Sequence, residues 1–161
     1  MGPRDQGHQF DADGNLKNWW TADDEKNYTA RATLMEQQYS DYIAIDTLHI
    51  NGKLTLGENI ADLGGLKIAY LALQKSLAGK PRPEKIDGYT PEQRFFLAFA
   101  QGWRRNMRPE MTRLLIATDP HSPARFRVLG PLANMPEFVS AFGCGTSGPM
   151  ARPEAMRVKI W

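Results

Sequence analysis

Glu58 and Asp62 stand four residues apart in Gly57-Glu58-Asn59-Ile60-Ala61-Asp62, a spacing that places both carboxylates on one face of a helix. Like charges there repel unless a cation or a donor lies beside them, and the next residues along that face, Leu66 and Lys67, supply one only in part. A metal site answers the problem, with one carboxylate binding the ion and the other orienting a ligand. A solvated acidic helix face also answers it, and spacing alone favours that reading because acidic side chains mostly stay in water. A second group lies in Asp119-Pro120-His121-Ser122-Pro123-Ala124-Arg125-Phe126-Arg127. A histidine in a proline-fixed loop can donate to a developing oxyanion, and Arg127 can clamp a carbonyl or carboxylate through two donors. The bland alternative is a surface loop with capping residues. Trp103-Arg104-Arg105-Asn106-Met107-Arg108 is basic; it suits a helix C-terminus or, without any accompanying reader motif, nucleic acid. Asp11-Ala12-Asp13-Gly14-Asn15 resembles the start of a calcium loop, but the twelfth position is Ala22 rather than Glu, which leaves turn chemistry.

Several function classes are disfavoured by what the chain does not contain. Its three histidines are followed by Gln9, Ile50 and Ser122, so none starts an H-E-x-x-H zinc helix. No Ser/His/Asp, Cys/His or phosphate-loop pattern is present. Cys144 is the single cysteine, which rules out an internal disulfide and a cysteine-based zinc cluster. No apolar run reaches the roughly 18 residues of a membrane span, and Met1-Gly2-Pro3-Arg4 has no signal-peptide core and reads as a cut beginning. With 161 residues, 42% hydrophobic and 24% charged, the chain suits one domain or a large part of one. Net charge is +2, divided as −3 over residues 1–80 and +5 over residues 81–161. The Arg-rich second half suits carboxylates, carbonyls or nucleic acid.

The elements that must position these groups are mostly helical. Thr21 followed by Asp23, Asp24 and Glu25 predicts a helix to about Tyr39. Alternating Ile43, Ile45, Leu48 and Ile50, with Asn51-Gly52 as turn, predicts a short strand or hairpin over 42–56. A helix follows from Gly57 to Leu77 on the apolar positions Ile60, Leu63, Ile68, Leu71 and Leu77, and Gly64-Gly65 within it predict close approach of another backbone. Residues 79–89 are a Pro/Gly loop. Thr90-Pro91-Glu92-Gln93 is a capping box that opens a helix carrying Phe95, Phe96, Phe99 and Trp103 to about Arg108. Shorter helices are predicted over 110–117 and 136–142, with a loop over 118–133 between them.

Five ordered blocks resemble the neprilysin and endothelin-converting-enzyme family of zinc metallopeptidases along nearly the whole chain. Asn51–Gly65 is similar to its E-x-x-x-D zinc helix, and Phe10–Thr21 to the stretch after its H-E-x-x-H helix. Phe95–Trp103, Asp119–Val128 and Asn134–Cys144 match three more. The resemblance implies a mainly α fold with a minor β-hairpin, equivalent to the C-terminal part of a zincin-type catalytic lobe, with residues 1–161 an incomplete portion of that domain. It implies Glu58 as a zinc ligand, Asp62 as the carboxylate orienting a zinc-bound histidine, His121 as transition-state stabiliser and Arg127 as the residue holding a substrate carbonyl. It further implies one zinc ion in the complete enzyme, weak or absent in this chain alone, with small peptides as substrates and an extracytoplasmic location. Asp5-Gln6-Gly7 resembles residues just past the zinc helix, so the histidines, the general-base Glu, a substrate-binding strand and the N-terminal lobe are expected on a missing N-terminal portion. Cys144 matches a family cysteine paired in that portion, and Met156–Trp161 departs from the family ending C-R-V-W. The chain alone is expected to be inactive and to self-associate through apolar surface left uncovered. The alternatives are a non-catalytic peptide-binding module or a nucleic-acid binder using Arg104, Arg105 and Arg108.

Overall fold

The computed structural model describes residues 7–145, 148 and 150–160; the ends of the resemblance at Asp5, Gln6 and Trp161 lie outside them. Helix α1 spans Ala22–Ser40 and opens as the composition dictates: Thr21 and Asp24 exchange bonds in a capping box, satisfying amide donors the first turn would otherwise leave free. Ala32, Met35, Gln38 and Tyr39 form its buried face.

The hairpin is real but its turn is elsewhere. Strands β1 (Ile43–Ile45) and β2 (Leu48–His49) pair antiparallel around Asp46, whose φ of 52° is a left-handed conformation that a short polar side chain tolerates. Asn51-Gly52 instead opens the turn that leads into the next helix, Asn51 Oδ1 accepting from the Leu54 amide at 3.0 Å. Gly52 is required there because a Cβ would overlap the Glu36 carbonyl of α1. Leu54 and Leu56 therefore belong to a turn and a helix, not to a strand.

Helix α2, Leu56–Leu77, packs most extensively on α5 and then on α1. It buries Ile60, Leu63 and Leu66, whereas Ile68 is 63% and Leu71 55% exposed. Gly64 is buried as expected, but a Cβ on exposed Gly65 would meet nothing, so no backbone approaches there. Helix α3 (Pro91–Gly102) carries the capping box of Thr90 and Gln93 and ends at Gly102 with Trp103 as cap, short of the sequence expectation. Arg104–Arg108 consequently lie in irregular chain beyond it, not in a helical last turn.

Helix α4 spans Pro109–Thr118 and α6 spans Pro136–Phe142, the latter ending at Gly143 with φ 62°. Between them, Ala124–Ala133 is helix α5, where a loop is predicted from sequence. Gly130 and Pro131 are poor helix residues, but tertiary contact decides: a Cβ on Gly130 would overlap the hydroxyl of Tyr39, which is fully buried. The Gln38 amide binds the Gly130 carbonyl at 3.1 Å, and Asn134 Nδ2 binds Gln38 Oε1 at 2.7 Å, so this buried crossing is polar and satisfied. An aromatic group built on Phe96, stacked on Tyr70 and edge-on to Phe138, holds α3 and α6 to the end of α2. None of the described helices is long and apolar enough to cross a membrane.

Candidate active site

The first turns of α2, the 119–123 loop and the start of α5 meet at one place, and all four residues singled out from the sequence converge there. The cation missing beside the carboxylate pair is Arg127, delivered by α5. Its Nε and Nη2 each donate to one oxygen of Asp62, both at 2.6 Å, and its Nη2 lies 3.8 Å from Glu58 Oε2. Lys67 is engaged elsewhere, with Glu137. Burial disfavours the charge on Arg127, but the Asp62 hydrogen bonds and charge outweigh it and hold the guanidinium pKa above its ordinary value. The guanidinium also lies over the Trp103 ring, 4.1 Å from its centroid, a cation–π contact that fixes its plane.

His121 is held from both sides. Its Nδ1 lies 2.6 Å from Asp119 Oδ1, and its Nε2 lies 3.4 Å from Glu58 Oε2. The same Asp119 oxygen accepts the His121 amide at 2.8 Å. Burial works against the Asp119 carboxylate, but these bonds prevail and lower its pKa below the usual range. A carboxylate on Nδ1 orients the ring so that Nε2 is the atom presented to the site. Beside it opens a cavity of about 610 Å³ lined by Trp103, Met107, Leu115, His121, Arg125 and Arg127. Tyr39 is fully buried on α1, its hydroxyl donating to the Phe126 carbonyl; burial, with the charges of Tyr42 and Asp62, raises its phenol pKa well above 10.0.

Three contributors carry no site signal in the sequence. Asn59 and Ser122 are joined at 2.8 Å in the buried interior, and Trp103 stands out from sequence only as an aromatic helix position beside a basic stretch. Their roles depend on which segments fold against one another. Among the described residues, no three or more His, Cys, Asp or Glu gather into a group able to hold a metal ion. What the site offers a zinc ion is one hard oxygen donor, the Glu58 carboxylate, which fits as one member of a tetrahedral set and not as the whole of it. The Asp11 carboxylate is occupied by the amides of Asp13 and Asn15, so that segment forms the turn its composition predicts. Cys144 is an exposed free thiol.

Residues 2–158 match the model of peptidase family M13. Neprilysin-2 of Drosophila melanogaster is 47% identical over 98% of this chain, and endothelin-converting enzyme 1 of Homo sapiens is 42% identical over 98%. The chain spans about 20% of the length of each. Among solved structures, the Mycobacterium tuberculosis zinc metalloprotease Zmp1, in complex with an inhibitor, superposes with a TM-score of 0.92 at 43% identity, over 99% of this chain and 25% of that one. PepO of Lactobacillus rhamnosis superposes at 0.76 and 34% identity, over 92% of this chain and 22% of that one. With the family model covering nearly every residue and the neprilysin and endothelin-converting-enzyme relatives aligned along the whole of it, the chain belongs to peptidase family M13.

Proposed function

We propose that this chain is the C-terminal portion of a zinc metalloendopeptidase that hydrolyses peptide bonds in small peptides, and that by itself it does not turn over substrate. The observation that supports this best is the convergence of Glu58, Asp62, His121 and Arg127 beside an open cavity, on a chain whose family is that of zinc peptidases. Glu58 would be one protein ligand of the metal, which when bound supplies Lewis-acid polarisation and an activated water. The two histidines and the Glu base of an H-E-x-x-H helix are absent from this sequence and would come from the rest of the enzyme.

The chain's own residues would then act as follows. His121, oriented by Asp119, presents Nε2 to the oxygen that gains negative charge as the peptide carbonyl becomes tetrahedral. A donor placed where that charge develops stabilises the transition state more than the ground state. Arg127 has its Nε and one Nη committed to Asp62; its remaining N–H groups are available for a substrate carbonyl. Asp62 thus keeps Arg127 in place and is proposed also to orient a zinc-bound histidine. The parent enzyme is proposed to work outside the cytoplasm. The chain alone is proposed to self-associate through its exposed apolar surface, of which Ile68 and Leu71 are part.

The test is hydrolysis of a peptide with added zinc, first by the chain alone and then by a chimera in which it replaces the matching quarter of the Mycobacterium tuberculosis enzyme. Silence from the chain, with zinc-dependent turnover by the chimera that Glu58→Ala abolishes, is the expected result. Turnover by the chain alone would overturn the inactivity, and a dead chimera with correct fold would overturn the catalytic reading.

A further inference from the structure

Glu58 and His121 come from different segments, and the ring of His121 is tied by its short bond to Asp119, a member of its own loop. That bond sets the ring within the loop but not the loop's distance from α2. Among the described residues, two side-chain contacts join the 119–123 loop to α2: the longer, partly exposed approach of His121 Nε2 to Glu58 Oε2 at 3.4 Å, and one short buried hydrogen bond in which Ser122 Oγ donates to Asn59 Oδ1 at 2.8 Å. Each partner is the immediate chain neighbour of a site residue, Asn59 of Glu58 and Ser122 of His121. Both are buried, Asn59 to 1% and Ser122 to 3% exposure.

The polarity of the link is dictated from below. The Thr55 hydroxyl donates to the Asn51 carbonyl at 3.1 Å. A hydroxyl has one proton, so Thr55 Oγ1 meets Asn59 as an acceptor and takes its Nδ2–H at 2.9 Å. The Asn59 amide is thereby oriented with Oδ1 toward the loop, where only a donor satisfies it, and Ser122 supplies one. The relay runs one way, Ser122 to Asn59 to Thr55 to the Asn51 carbonyl, with no buried member left over.

We propose that Asn59 and Ser122 are positioning residues that set the separation of His121 from Glu58, through a buried one-directional relay anchored at Asn51. The proposal rests on the reading that Glu58 and His121 serve one reaction centre, but its test needs neither zinc nor peptide. Hydrogen exchange of the intact chain, resolved to segments, is compared for wild type, Ser122→Ala, Ser122→Thr and Asn59→Asp. The last keeps the shape of the side chain but gives Thr55 an acceptor where it needs a donor. The expected result is exchange of the Asp119, His121 and Ser122 amides accelerated about 10- to 100-fold in Ser122→Ala and Asn59→Asp, the size set by one orphaned buried group. The amides of α1 and α3 stay unchanged, and Ser122→Thr, which retains the hydroxyl, recovers wild-type protection of the loop.

Acceleration spread evenly over the chain would mean an ordinary contribution to folding and overturn the proposal, as would no change in either variant. Should both variants fail to fold, wild-type loop amides exchanging far faster than those of residues 58–62 would overturn it, and matched protection would uphold it. In the chimera, Ser122→Ala is expected to lower kcat about 10-fold with KM changed less than twofold, the pattern of a lost transition-state contact. A chimera inactive with every variant, beside the expected exchange pattern, would discard the catalytic reading and leave the relay standing.

Discussion

The two halves of α2 are one continuous helix in two different surroundings. Its first half, from Leu56 to Leu66, is covered by α1, α5 and the His121 loop; there Ile60, Leu63 and Leu66 are core, and Glu58, Asn59 and Asp62 have polar partners on other segments. Its second half exposes Ile68 and Leu71 and is held to α3 by Tyr70 against Phe95 and Phe96 and by Gln74 reaching Glu92. Helix formation asks only for local backbone bonds and suitable residues, and both halves have them. Burial asks for a partner, and only the first half has one on every side it needs. The candidate site gathers in the half where two other segments converge, where a charge pair is shielded from water and held at fixed distance.

The strongest way to break the comparison is Asp62→Ala. It removes both carboxylate oxygens that accept from the Arg127 guanidinium and leaves only Glu58, 3.8 Å away, as counter-charge, and should cost about 3 kcal/mol in denaturant unfolding. Asp62→Ala combined with Arg127→Met should recover much of that loss, since the guanidinium that lost its hydrogen-bonding carboxylate is then gone as well. A core truncation sharpens the contrast further. Leu63→Ala should cost about 2–4 kcal/mol, whereas Leu71→Ala, eight residues along the same helix, should stay within about 0.5 kcal/mol.

A smaller effect tests the tether of the second half. Burial pushes the Glu92 carboxyl up, but Arg82, Gln74 and Thr90 outweigh it and lower its pKa below the ordinary 4.5. The unfolded chain then binds the proton more readily, so stability rises with pH across that interval. The contribution is complete above pH 4.5 and is lost as pH falls through the lower folded value. With Arg82 largely exposed, it should amount to less than about 1 kcal/mol. Arg82→Ala should flatten the acid limb of a pH–stability curve; an unchanged limb would assign the acid sensitivity to other carboxylates. The least effect on stability, and the clearest on association, belongs to Leu71→Lys. It should leave unfolding nearly unchanged while shifting sedimentation toward monomer. A wild-type chain already monomeric at all concentrations would remove the proposed self-association.

Much of the fold was legible before any tertiary contact was known. Both capping boxes, at Thr21 and Thr90, start helices where the side-chain chemistry says, because the bonds that cap a helix lie within four residues of one another. Glu58, Asp62, His121 and Arg127 were also singled out, from type and spacing joined to a resemblance spread along the chain; the family assignment bears that resemblance out, and the catalytic roles of the four remain proposals. The errors share a cause. The hairpin turn went to Asn51-Gly52, the stronger local signal, because nothing in sequence shows that Gly52 is reserved for contact with α1. Helix α5 reads as loop in the sequence because Gly130 and Pro131 weaken it locally, while the Tyr39 hydroxyl that requires a glycine comes from a residue far back in the chain.

By itself the sequence determined the helical class, the caps, the pair of carboxylates on one face and the lack of a second metal-binding motif, all of them properties of residues close along the chain. Only the tertiary structure decided that Arg127 neutralises Asp62, that Asn59 faces Ser122, and that Leu63 is buried while Leu71 is not. Those outcomes depend on which distant segments share a surface, and the free energy of burial and of an ion pair is set by surroundings that spacing along the chain does not encode.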